Sequence, residues 1–150
     1  MQKKISTSLV ASLLIATNLY SNENLETITV TSATKSTQSI KDVTSNVEVI
    51  TKDEIEERHF TTVSEALNTL AGINVISNGG IGNTSSVFLR GMSSKRILVL
   101  IDGIKVNDVT SSSGAQFEHL LINEIEKIEV IKGAQSGIWG ADASAGVINI

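Results

Sequence analysis

Between Ser85 and Asp108 the sequence runs SSVFLRGMSSKRILVLIDGIKVND, and this stretch restricts the fold more tightly than any other. Ile97 to Ile101 places five β-compatible apolar residues in a row. A strand with one wet face alternates apolar and polar side chains, so an unbroken apolar run calls for cover on both faces. Upstream, Val87-Phe88-Leu89 has strand composition, and Gly91 with Ser93-Ser94 separates it from the longer run. Downstream, Gly103 permits the positive φ that a turn after Asp102 needs. The stretch therefore reads as the buried centre of a small mixed sheet.

The flanking sequence supplies the other layers. Asn46 to Ile50 is a short strand, and Lys52 to Arg58 (KDEIEER) is a polar helical turn with few core positions. Thr62-Val63-Ser64-Glu65 fits a capping box, in which the threonine hydroxyl and the glutamate carboxylate each satisfy the other's backbone donor. Ala66, Leu67 and Leu70 give the next helix one apolar face, Gly72 ends it, and Ile73 to Ile76 is a strand. Ser77 to Thr84 is a glycine-rich loop between strands. Asn107 to Gln116 is a second loop, too long for a tight hairpin and rich in hydroxyls. Phe117 to Ile122 makes a helical turn. In the strand Ile125 to Ile131, Ile128 and Val130 face one way while Lys127 and Glu129 face the other, which predicts one dry face and one polar face, the latter meeting water in an isolated protein. Gly133, Gly137, Gly140 and Gly146 mark tight bends before a closing strand, Val147 to Ile150.

The N-terminus has a different character. Lys3 and Lys4 precede an apolar run, Leu9 to Ala16, with small residues suited to cleavage near Ser21. This is a signal-peptide pattern over residues 1–21. A membrane anchor is the alternative, but a spanning helix needs roughly 18 apolar residues. Cleavage after Ser21 leaves ten basic and 16 acidic residues, a formal charge of −6. No basic field remains for nucleic acid. Residues 22–45 are rich in Ser, Thr, Asn and Lys and read as an exposed, mobile linker. Within them, Glu26-Thr27-Ile28-Thr29-Val30-Thr31 alternates polar and apolar residues of high β propensity. It is either an ordinary first strand or an unpaired one able to join another sheet's edge.

Catalytic and metal chemistry find little support. The chain has no Cys, which removes thiolate ligands and cysteine nucleophiles. Gly133-Ala134-Gln135-Ser136-Gly137 is not the G-x-S-x-G elbow, and His59 and His119 have no carboxylate at ligand spacing. Gly80 and Gly82 lack the third glycine and the following helix of a phosphate cradle. No enzyme, metal or cofactor is expected. Arg90 follows a buried strand, where an unpaired guanidinium is costly, so a partner is expected for it.

Two stretches carry a resemblance. FLRGMSSKRILVLIDGIKVND and INEIEKIEVIKGAQSGIWGADASAGVINI resemble, in order, the two signatures of the plug domain of TonB-dependent outer-membrane receptors. The match can be followed from about Glu26 to Ile150, and the loops are most similar to the cobalamin type. Ala71 and Ala134 stand where the family usually has Pro, Lys127 where it has Arg, and Trp139 where it has Tyr. The resemblance implies an α+β plug over residues 46–150, with a small mixed sheet, short flanking helices and long apical loops, and with the C-terminal β-barrel absent from this chain.

The same resemblance assigns the residues. Glu26, Thr27, Ile28, Thr29, Val30 and Thr31 stand where the family has its TonB box, offered to TonB by strand addition. Ser77, Asn78, Ser111, Ser112 and Ser113 fall on the loops that meet cobalamin or a ferric siderophore. Arg90 is either a plug-to-barrel ionic contact or half of an internal ion pair. The implied protein is an outer-membrane active transporter, driven through TonB. Because a barrel of about twenty strands of 9 to 11 residues does not fit in this length, a stand-alone periplasmic module binding TonB or ligand is the second reading.

Overall fold

A computed structural model describes residues 28–108 and 114–150. The signal-peptide stretch, Glu26, Thr27 and Ser111 to Ser113 lie outside the described residues.

Strands β1 (Thr29–Val30) and β2 (Gln38–Ser39) form a small antiparallel pair. Next come β3 (Val47–Thr51) and the helices α1 (Lys52–Arg58) and α2 (Val63–Leu67), then the hairpin of β4 (Ile73–Ser77) and β5 (Ser85–Leu89). The main sheet gains β6 (Ile97–Ile101), β7 (Ile104–Lys105), β8 (Lys127–Lys132) and β9 (Gly146–Asn149), with α3 (Ser136–Trp139) between the last two. Its order is β3-β8-β9-β6-β7. The β6–β9 pair is parallel and the other neighbours are antiparallel, so the sheet is mixed.

The five-residue apolar run explains the layering. Ile97 and Val99 of β6 point into one core with Ile50, Ile128, Val130 and Ile148, closed by Ile55, Val63, Ala66 and Leu67 from the helices and by Val87, Leu89 and Phe117. Leu98 and Leu100 point into a second core with Ile131, Val147 and Ala143, closed by Ala33 from the N-terminal segment. Both faces of β6 are therefore dry. Asp102 and Gly103 turn the chain into β7 with φ of 50° and 77°.

The helices follow their local signals with one shift. Only Ile55 of α1 is buried. At α2, Glu65 N–H donates to the Thr62 hydroxyl at 3.2 Å, but the Glu65 carboxylate accepts from Thr61 N–H at 2.9 Å. The expected reciprocal bond to Thr62 N–H is displaced by one residue.

Three expectations are corrected. Within residues 22–45, read as exposed, Val30, Ser32 and Ala33 are instead buried against the sheet, while Thr34 to Thr37 are exposed. The polar face of β8 is not wet: Glu129 is fully buried under that segment. Arg90, expected to need a partner, is exposed and makes no ion pair among the described residues. Its φ of 49° turns the chain out of β5, so the guanidinium never enters the core.

Candidate functional site

Alternation along β8 sends Lys127 and Glu129 to the face opposite Ile128 and Val130. Opposite Glu129 the neighbouring strands place Val49 and Asn149, and neither carries a charge. The carboxylate finds its partners in the N-terminal segment. Thr31 N–H donates to its two oxygens at 3.2 and 3.0 Å. Ser32 contributes its N–H at 2.9 Å and its hydroxyl at 2.6 Å. Lys127 Nζ lies 2.8 Å from Glu129 Oε1 and donates to Thr29 O at 2.8 Å.

Trp139 completes the clamp. Its Nε1–H donates to Ser32 O at 2.7 Å, and Lys35 Nζ stands 4.7 Å from its ring centre. Hydrogen bonds to a charged group are worth about 1.5–3 kcal/mol each, and burying Val30 adds about 1.5 kcal/mol. Electrostatics outweighs apolar contact in holding this segment down.

The pKa of Glu129 reflects that balance. Burial alone pushes it up, but Lys127, the Ser32 hydroxyl and the backbone N–H groups of Ser32 and Thr31 together hold it below its ordinary value of 4.5. The carboxylate is charged at neutral pH, as its donors require. Beside it, Thr31, Ser32, Trp139, Lys127, Asn149 and Ile150 help line a cleft of about 610 Å³.

The residues singled out from sequence fall in separate places. Ile28 and Thr29 are exposed, Val30 is buried and Thr31 is half-buried. The strand they form is paired with β2, so the alternative of an unpaired strand does not describe the structure. Ser77 and Asn78 are exposed where β4 enters its loop; the Ser77 hydroxyl donates to Gly79 O at 3.0 Å and Asn78 N–H to Thr84 O at 3.1 Å. A cleft of about 400 Å³ runs beside this loop, lined in part by Ser64, Asn68, Ser77, Phe117 and Glu118. Sequence reasoning missed Glu129, Lys127, Ser32 and Trp139 as site residues. The available signal was a lone carboxylate between Ile128 and Val130, in a strand bordering another apolar one.

A sequence profile described as "TonB-dependent Receptor Plug Domain" matches residues 39–147. The chain belongs to this family: it is a plug domain of the TonB-dependent receptors. Within that class its similarity runs to vitamin B12 transporters. It is 41% identical over 152 aligned residues to the vitamin B12 transporter BtuB of Vibrio vulnificus, covering 100% of this chain and 25% of that protein. The BtuB of Photobacterium profundum is 33% identical over 151 residues, with the same coverage. Thus the chain spans about a quarter of the length of the curated relatives it matches.

Solved structures agree on the fold. The siderophore receptor PiuA from Acinetobacter baumannii superposes with a TM-score of 0.58 at 34% identity, over 75% of this chain and 15% of that one. The alcaligin outer-membrane receptor FauA from Bordetella pertussis gives 0.63 at 22% identity, over 81% of this chain and 20% of that one.

Proposed function

We propose that this chain is the plug of an outer-membrane active transporter for cobalamin, opened by TonB acting on the segment Glu26 to Thr31. The observation that carries the reading is the 41% identity, along the whole chain, to a vitamin B12 transporter. A ferric siderophore is the second ligand class, favoured by the likeness to the siderophore receptor PiuA.

In this account the ligand rests on the loops that carry Ser77, Asn78 and Ser111 to Ser113, where hydroxyls and an amide offer hydrogen bonds at little cost when solvated. Exposure of Ser77 and Asn78 at one end of the β4–β5 hairpin supports that role. Arg90, exposed and free of an ion pair among the described residues, is available to a carboxylate on a surrounding barrel wall. TonB would add a strand to the N-terminal segment and pull, and force on that segment is delivered through Glu129 to β8, an inner strand of the sheet beside the edge strand β3. Energy comes through TonB, and the chain acts as a transport component, not an enzyme.

The test replaces Thr29, exposed and with its backbone groups on the edge away from β2, with proline in the receptor that carries this plug. Proline removes a ladder donor, so TonB-dependent cobalamin uptake should fall to background while cobalamin binding to outer membranes persists. Uptake at the wild-type rate would refute the assignment of the segment.

A further inference from the structure

Backbone polarity in β1 identifies which of its edges is still to be filled. Ile40 N–H donates to Ile28 O at 3.0 Å, so the polar groups of Ile28 face β2. Successive residues of an antiparallel pair alternate between bonding the partner and pointing away from it. Thr29 and Thr31 therefore present their backbone groups on the outer edge, where an added strand would bond. Two side chains already occupy that edge: Lys127 Nζ holds Thr29 O at 2.8 Å, and a Glu129 oxygen holds Thr31 N–H at 3.0 Å.

We propose that the Lys127–Glu129 pair is a removable cap on the outer edge of β1, keeping the Thr29–Thr31 strand closed to an incoming β-strand until the pair is displaced. The proposal rests on the reading of this segment as the strand offered to TonB. The cap imitates a strand, with the ammonium standing in for a neighbour's N–H and the carboxylate for its C=O. The fold uses a neutral version elsewhere. At the edge of β6, the Asn107 side chain accepts from Val99 N–H and donates to Ile97 O, each at 2.8 Å.

The charged version differs in what its removal demands. Glu129 is fully buried, so a strand that takes Thr31 N–H leaves a carboxylate short of donors in a dry place. Capture is therefore coupled to rehydrating or re-pairing Glu129. The Lys127 side chain is 36% exposed, which makes it the side from which water or a partner enters. Ser32 is bound to the same carboxylate, so opening at Glu129 loosens it too, while Trp139 still holds Ser32 O.

Hydrogen–deuterium exchange on the full chain at neutral pH tests this, with Glu129→Gln and Lys127→Gln beside the wild type. Exchange at Thr31 to Ala33 should quicken roughly tenfold or more in Glu129→Gln, the loss expected when a charged acceptor goes, while Ile97 to Ile101 stays protected. If Glu129→Gln also deprotects Ile97 to Ile101, Lys127→Gln decides, with a rise of roughly threefold or more expected at Thr31 to Ala33 on an intact core. Unchanged exchange there in a folded variant overturns the cap. Capture of purified TonB, measured on the same variants, separates the two claims. Faster exchange with tighter capture supports both, and faster exchange without it supports the cap and overturns the TonB reading. Tighter capture with unchanged exchange overturns the cap.

Discussion

Replacing Gly146 with alanine tests how the β4–β5 hairpin is joined to the main sheet. Gly146 lies in β9, between Lys132 of β8 and Ile97 of β6. A Cβ built there would stand 2.3 Å from Ile131 O and 2.5 Å from Leu89 Cδ2. Leu89 can rotate away, but the carbonyl belongs to a strand held on both sides. To reach even a 3.0 Å contact the backbone must open by about 0.7 Å, in an interior packed like a crystal. Overpacking of this kind costs about 1–3 kcal/mol, and each ladder bond weakened adds up to about 1 kcal/mol. A total near 3 kcal/mol corresponds to a fall in Tm of about 10 °C for a domain of this size. Thermal unfolding followed by circular dichroism reads it directly. Gly137→Ala is the matched control, because nothing lies within 4 Å of its Cβ position and it sits inside α3; it should hold or raise Tm. If Gly146→Ala melts with the wild type, the close approach of β5, β8 and β9 is wrong.

Two further outcomes follow from the geometry. Glu129 has a depressed pKa, so the stabilisation it gives the docked segment is present above its ordinary value of 4.5 and is lost as pH falls through the depressed one. Lys127 is the charged group facing it, and Trp139, the single tryptophan, reports the change: its fluorescence should shift below about pH 4.5 in the wild type and stay flat there in Glu129→Gln. At α2, Thr62→Ala removes the N-cap acceptor of Glu65 N–H and should cost about 1 kcal/mol in denaturant unfolding; an unchanged midpoint would show that the cap contributes nothing.

What could be read from the sequence was what local chemistry decides. The run Ile97 to Ile101 required cover on both faces and has it, since its length leaves no polar face to present to water. The order of β3, α1, α2 and β4 was legible from one capping threonine and a few apolar positions. What could not be read depends on partners far along the chain. Glu129 and Ser32 lie 97 positions apart. Alternation revealed which face Glu129 occupies, yet nothing in a periodicity says what covers that face. The same blindness hid the burial of Val30, Ser32 and Ala33, because a segment held by two charged side chains and one indole needs no apolar stripe of its own. The exposure of Arg90 was illegible for a different reason: a left-handed φ at a strand end redirects the side chain, and no composition rule announces it in a non-glycine residue.

Service in a cobalamin transporter worked by TonB is the function proposed for this plug. Cells lacking their own vitamin B12 transporter, supplied with the receptor that carries this chain, provide the direct measurement: uptake of labelled cobalamin with TonB present and with TonB deleted. The account predicts uptake that depends on both the receptor and TonB. Cobalamin uptake absent in both backgrounds, or equal in both, would contradict it.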